Sequence, residues 1–202
     1  MPTLQRLQLG CFDRPLDGWV NTDITPHLLV ARVPFLGGVM HKLGLMNEER
    51  YAQHQQGIFR NVRYLNVTKR FPFPAESFEC VYSSHMLEHI PKDRVPGTLA
   101  EIRRVLCRGG VVRTSVPDLD YFVAHYEPTD PDTFVDGVFE IGRNGNKNRH
   151  HWMYNRHSLP RLLAAHGFVN AEVCAFREGK CADLDRLDNR PDHSLFVEAI
   201  KP

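Results

Sequence analysis

The stretch Phe71-Pro72-Phe73-Pro74-Ala75-Glu76-Ser77-Phe78-Glu79-Cys80-Val81-Tyr82-Ser83-Ser84-His85-Met86-Leu87-Glu88-His89 decides how the rest of the chain is read. Its proline-punctuated start is a turn, and residues 78–83, with Val81 and Tyr82, have the composition of a strand. Hydroxyls and imidazoles follow that strand at once. Further on, Leu99, Ile102, Val105 and Leu106 recur at helical spacing. Thr98 and Glu101 fit a capping box, and Gly109-Gly110 ends the helix before a strand at 111–116. The order strand, helix, strand is one αβ unit, and such units build parallel sheets.

Upstream, residues 4–9 alternate apolar and polar side chains and run into Gly10, residues 19–24 form a short strand carrying Asp23, and residues 62–67 form a third. Between the last two, Gly37, Gly38, Gly44 and Gly57 break weak helical periodicity around 39–45 and 48–56. That segment, about 25–61, reads as an irregular insert or lid. Downstream come a Pro- and Asp-rich loop at 127–132 and a polar stretch at 143–151. A helix carrying Leu159, Leu162 and Leu163 then stops at Gly167, and strands at 171–176 and Ser194–Ile200 close the chain. The expected architecture is α/β, a Rossmann-like mostly parallel sheet with helices on both faces and an antiparallel last strand. At 202 residues the chain fits a single domain, 1–202.

Twenty-five basic against 24 acidic residues leave a net charge of +1, which removes the electrostatic footprint of nucleic-acid or anionic-membrane binding. Five cysteines without a Cys-x-x-Cys pair suggest neither disulfides nor a zinc knuckle, and fit a reducing cytoplasm. Residues 1–10 lack a signal-peptide pattern, and no stretch of about 18 apolar residues could span a bilayer. The expectations are a cytoplasmic protein, no membrane insertion and a small-molecule substrate.

In an open α/β sheet, ligands bind outside the carboxyl ends of the strands, so the residues just after each strand are the candidates. Gly10-Cys11-Phe12 makes a close turn whose amides could meet a carboxylate or another polar ligand group. Asp23 stands where a carboxylate accepts hydrogen bonds from ribose hydroxyls. Asn66-Val67 could meet the edge and face of an adenine. Ser83, Ser84 and His85 follow the fourth strand, and His85, titrating near neutrality, is the candidate catalytic base. His85 and His89 share a helical face, but the HExxH order and a third ligand are missing, so no metal is expected. Glu88 is read as a capping or pairing residue without a catalytic role. No Gly-x-Ser-x-Gly elbow and no Gly-x-Gly-x-x-Gly fingerprint occurs.

Read in order, these pieces resemble the class I S-adenosylmethionine-dependent methyltransferase family, whose small members carry "PFP-x-x-SF-(D/E)-x-(V/I)-(Y/F)-S-x-H-x-(L/I)-EH". Glu101 to Gly110 is similar to the family's "E-x-x-RVL-x-x-GG", and Leu162 to Phe168 to its "LL-x-x-x-GF". The resemblance implies S-adenosyl-L-methionine as cofactor. It also implies that the turn at Gly10, Cys11 and Phe12 meets the methionine part, Asp23 the ribose, Asn66 and Val67 the adenine, and Ser83, Ser84 and His85 the sulfonium side. The chain departs from the pattern at Phe12, where the family's second glycine stands, and at Asn66, where Asp is common. His150, His151, Trp152 and Tyr154 combine ring faces with hydrogen-bonding groups and suit a small polar or sugar-like acceptor. Two rival readings stay open: a methyltransferase-like binding or regulatory protein without turnover, and a nucleotide-sugar or dinucleotide enzyme on a similar sheet.

Overall fold

A computed structural model describes residues 5–140 and 149–202. Residue 4 of the first expected strand and residues 143–148 of the polar stretch lie outside the described residues. Seven strands, β1 (Gln5–Leu9), β2 (Val20–Asp23), β3 (Val62–Tyr64), β4 (Phe78–Ser84), β5 (Leu106–Pro117), β6 (Val169–Cys174) and β7 (Ser194–Ile200), form one sheet in the order β3-β2-β1-β4-β5-β7-β6. β1 to β5 pair in parallel, and β7 runs antiparallel to both β5 and β6. The order reverses at β1 and β4, so the crevice of a doubly wound sheet opens above their carboxyl ends.

Alternate residues of the central strands serve two different faces. Leu7, Leu9, Val81, Val112 and Val116 pack with Val95, Leu99 and Ile102 of α4 (Val95–Val105) and with Leu159 and Leu163 of α7 (Ser158–Ala165). The opposite face has an unusual cover. Parallel strands normally need a crossover of a dozen or more residues, most often a helix, yet β1 passes to β2 through residues 10–19 without one. The connection from β6 to β7 covers that face instead. Cys181, Leu184 and Leu187, the latter two in the single turn α8 (Leu184–Leu187), pack on Leu16, Trp19, Cys80 and Tyr82.

This cover is pinned by polar contacts. Arg113 of β5 is wholly buried; its Nε donates to Asp188 Oδ1 at 3.0 Å, Nη1 to Glu198 Oε1 at 3.1 Å and to the Glu178 carbonyl at 2.9 Å, and Nη2 to the Ala175 carbonyl at 3.1 Å. The two carboxylates also accept the backbone amides of Arg177, Lys180 and Cys181. Trp19 Nε1 and Arg6 reach Asp183, and the Tyr82 hydroxyl donates to the Leu187 carbonyl at 2.8 Å.

The structure moves several expected boundaries. Residues 25–61, read as irregular, carry α1 (His27–Arg32), α2 (Leu36–Lys42), α3 (Glu48–Gln55) and a 3-10 turn, Ile58–Asn61. Asn47 caps α3 by accepting from the Arg50 amide at 2.9 Å. The expected capping box at Thr98 and Glu101 is absent. α4 already starts at Val95 with Pro96 in its first turn, which suits a ring that lacks an amide donor. Thr98 is buried and donates to the Val67 carbonyl, while Glu101 accepts from the Phe71 amide and pairs with Arg104. Gly109-Gly110 lies inside β5 and does not end the helix. A Cβ at Gly110 would stand 2.9 Å from the Cys107 carbonyl, so Gly110 permits a close backbone approach. Two helices fall where no helix was expected, α5 (Leu119–Ala124), capped by Asp118, and α6 (Pro131–Phe139), capped by Asp130.

Candidate active site

The crevice above β1, β4 and β5 has two lobes. The first, about 540 Å³, is lined by the β1 turn from Gly10 to Leu16, by Gln8, by Ser84 and His85, and by Arg186, Asn189 and Arg190. The second, about 840 Å³, is lined by α5 and α6 side chains including Tyr121, Phe122, His125 and Phe134, with His150 and His193. His85, Glu140 and Arg190 line both lobes.

The β1 turn is held by Asp23, whose Oδ2 accepts from the Phe12 amide at 2.9 Å while Oδ1 accepts from the Thr25 amide at 2.7 Å. Gly10 has a left-handed backbone, and a Cβ there would meet Met86 Cγ at 3.0 Å. Phe12 is also left-handed, with φ 46°. Arg50 lies 4.5 Å over its ring, and His27 and Phe59 stand beside it. Gln8 Nε2 donates to the Arg14 carbonyl, and its buried Oε1 has no hydrogen-bond partner.

His27 Nδ1 and His54 Nε2 are 3.0 Å apart behind Phe12. Burial holds both imidazoles below the usual 6.5, aided at His27 by Arg50, against a counter-pull from Asp13, and at His54 by His27. With folded values depressed, the unfolded chain takes up protons first as the pH falls, so stability is lost below about 6.5. Urea midpoints measured at about pH 7 and about pH 5 should fall with acidification, and His54→Phe should shrink that fall.

At the end of β4, the His85 amide donates to the Ser115 carbonyl at 2.9 Å and its backbone turns left-handed at φ 48°. The chain then enters a 3-10 turn, Leu87–His89. His85 Nε2 lies 2.8 Å from Ser194 Oγ and Nδ1 lies 3.4 Å from Glu88 Oε1. Burial, with Arg190, His193 and His150 nearby, presses the His85 imidazole down to about 3, so the ring stays neutral. Glu88 is wholly buried, neither carboxylate oxygen has a hydrogen-bond partner, and burial raises its carboxyl to about 8. Glu140 Oε2 sits 3.0 Å from His150 Nε2, which holds the Glu140 carboxyl below its ordinary range. Burial opposes charging His150, but hydrogen bonds to Glu140 and to the Val138 carbonyl carry its imidazolium upward.

Of the residues expected at the cofactor, the first lobe brings together Gly10, Cys11, Phe12, Ser84 and His85. Asp23 acts on that lobe through the Phe12 amide. Ser83 is buried with its hydroxyl on Thr114 Oγ1 at 3.0 Å. Asn66 Oδ1 accepts from the Thr68 amide and hydroxyl in a local turn, and the Val67 carbonyl accepts from Thr98. Of the residues expected at the acceptor, His150 lines the larger lobe, while His151 and Trp152 line a separate hollow beside Phe139. Lys92 Nζ lies 3.4 Å over the Trp152 ring, and Tyr154 is buried in the core. Glu88, read as a capping or pairing residue, faces His85 and not Arg103 or Arg104. Tyr121, Phe122, His125, Arg190 and His193 escaped the sequence reading. The helix start at Asp118 before Leu119 was the available signal for the first three.

Among the described residues no helix is long and apolar enough to cross a membrane. The sequence matches the family described as "Methyltransferase domain" over residues 30–173, more than half of the chain. No curated protein sequence matches it. Among solved structures it is similar to a Thermotoga maritima SAM-dependent methyltransferase, described as a possible histamine N-methyltransferase, at 14% identity and TM-score 0.58, covering 100% of this chain and 84% of that one. A possible exported protein from Bordetella parapertussis aligns at 15% identity and TM-score 0.56, covering 98% of this chain but only 63% of that chain. DhpI, in complex with SAH, aligns at 15% identity and TM-score 0.52, covering 98% of this chain and 77% of that one. With the family matched over residues 30–173 and the fold similar to that of solved methyltransferases, the chain belongs to the methyltransferase-domain family and has the class I methyltransferase fold.

Proposed function

We propose that the protein transfers a methyl group from S-adenosyl-L-methionine to a hydroxyl or amine of a small polar, sugar-like acceptor. The observation that carries this reading is the pair of lobes sharing His85, Glu140 and Arg190, one lobe at the β1 turn and the other walled by Tyr121, Phe122 and His125. The family supports the cofactor, and the residues fit it. Gln8 Oε1, buried and unpartnered at the smaller lobe, is an acceptor suited to an ammonium, and Arg14, Arg186 and Arg190 at the same lobe suit a carboxylate. Asp23, which holds the turn through the Phe12 amide, and Asn66 and Val67, which follow β3, are assigned to the adenosine side. When bound, the cofactor supplies an electrophilic methyl on a sulfonium.

The chain's own task is then alignment and exclusion of water. His85, kept neutral and hydrogen-bonded to Ser194, orients the acceptor and is too weakly basic to hold its proton. The stacked rings of Tyr121 and His125, 4.1 Å apart, offer a flat wall to a sugar-like face. Five free cysteines are consistent with a reducing cytoplasm.

A binding or regulatory protein without turnover is the second reading, favoured by Met86, which fills the space where a Cβ at Gly10 would stand, and by the left-handed Phe12. The two part in an assay of S-adenosylhomocysteine release with a panel of hydroxylated and amino sugars. Acceptor-dependent release is expected; cofactor binding with no release from any acceptor would transfer the assignment to the second reading.

A further inference from the structure

We propose that Glu88, His89 and His150, with Glu140 beside them, form a site for one first-row divalent cation at the junction of the two lobes. One ligand atom from each of Glu88, His89 and His150 lies within 4.8 Å of the others. The sequence offered no third ligand because His150 comes from beyond residues 141–148, and the fold brings it beside the turn after β4.

Two independent features point to a cation. Glu88 is wholly buried, and neither of its oxygens makes a hydrogen bond; His85 Nδ1 stands 3.4 Å from Oε1 without making one. A buried carboxyl group without a hydrogen-bond partner is unfavourable in either protonation state, and a cation relieves it. The imidazoles are also oriented as ligands. His150 Nδ1 lies 2.9 Å from the Val138 carbonyl and His89 Nδ1 lies 3.4 Å from the Arg149 carbonyl. Each carbonyl holds the proton on Nδ1, which turns Nε2 toward the cluster, the arrangement that fixes a metal-binding tautomer.

His89 Nε2 lies 4.0 Å from Glu88 Oε1 and 4.0 Å from Glu140 Oε2, and His150 Nε2 lies 3.0 Å from Glu140 Oε2. Bonds of about 2.0–2.2 Å place neighbouring ligand atoms roughly 3–4 Å apart, so modest side-chain shifts would close the cluster. A cation there takes the place of the proton that His150 shares with Glu140. Two imidazoles and a carboxylate with room for further ligands suit zinc, manganese or iron(II) better than magnesium or calcium. If the methyl-transfer reading holds, the ion lies where an acceptor hydroxyl enters, and its charge lowers that hydroxyl's pKa.

The test uses the full chain, stripped with chelator and free of S-adenosylmethionine. Manganese(II) is titrated by the loss of its free-ion resonance and zinc(II) by calorimetry. One ion per chain is expected, bound at least about tenfold more weakly by Glu88→Gln and by His89→Ala. The His89 side chain is partly exposed, so His89→Ala keeps the comparison valid if Glu88→Gln fails to fold, as checked by circular dichroism. No binding of either ion at millimolar concentration, or affinity unchanged in His89→Ala, overturns the proposal. Because no cofactor is present, failure here leaves the methyl-transfer reading standing, and absence of turnover leaves this site standing.

Discussion

Arg113→Ala is expected to lower the stability of the chain by about 3–5 kcal/mol, a large fraction of the about 5–15 kcal/mol that holds a domain folded. The guanidinium is wholly buried between Asp188 and Glu198, and its removal leaves both carboxylates deep in the sheet face without their counter-charge. It also frees the Ala175 and Glu178 carbonyls, which anchor the connection that covers the sheet where a crossover helix would lie. Denaturant unfolding followed by far-ultraviolet circular dichroism measures the effect. Replacing the three charged residues together with apolar ones should recover only part of the loss. Asp188 and Glu198 accept the amides of Arg177, Lys180 and Cys181, and apolar side chains leave those amides unsatisfied. Full recovery in the triple variant would mean that the carboxylates do not hold the connection.

Asp23→Ala is expected to weaken S-adenosylhomocysteine binding by at least about thirtyfold, the equivalent of roughly 2 kcal/mol for loss of the charge-assisted hydrogen bond that fixes the Phe12 amide at the lobe. The carboxylate joins the β1 turn to the end of β2 through the Phe12 and Thr25 amides, and both amides lose their acceptor in the variant. Asp23→Asn keeps one acceptor oxygen and should fall between the two. Equilibrium dialysis against labelled ligand gives the ratios. Equal affinity in all three proteins would remove Asp23 from the donor site.

The parts of the fold legible in the sequence were those with short-range signals. All seven strands were located, with alternation marking residues 4–9 and Val81 and Tyr82 marking residues 78–83, and Ser194–Ile200 was placed to the residue. Helical spacing with a glycine stop located α7. α4 was found but misplaced at both ends, because Thr98 and Glu101 imitate a capping box while serving long-range partners, Val67 and Phe71. The helices in 25–61 are short and interrupted by glycine, so periodicity was weak there. The pocket-lining set was only partly visible for the same reason. Gly10, Cys11, Phe12, Ser84 and His85 follow strands directly, whereas Arg190 and His193 reach the crevice from the β6–β7 connection, which carries no local pattern. The cluster of Glu88, His89 and His150 depends on a contact across about sixty residues, and no spacing rule for a single helix announces it.

The central claim is that the lobe at the β1 turn holds the methyl donor, and a crystal structure of the chain with S-adenosylhomocysteine tests it most directly. The account predicts the ligand against Gly10, Cys11 and Phe12, with its amino group on Gln8 Oε1 and its sulfur toward His85. Ligand seated in the lobe of Tyr121 and His125, or a β1 turn left bare at saturating ligand, would contradict it.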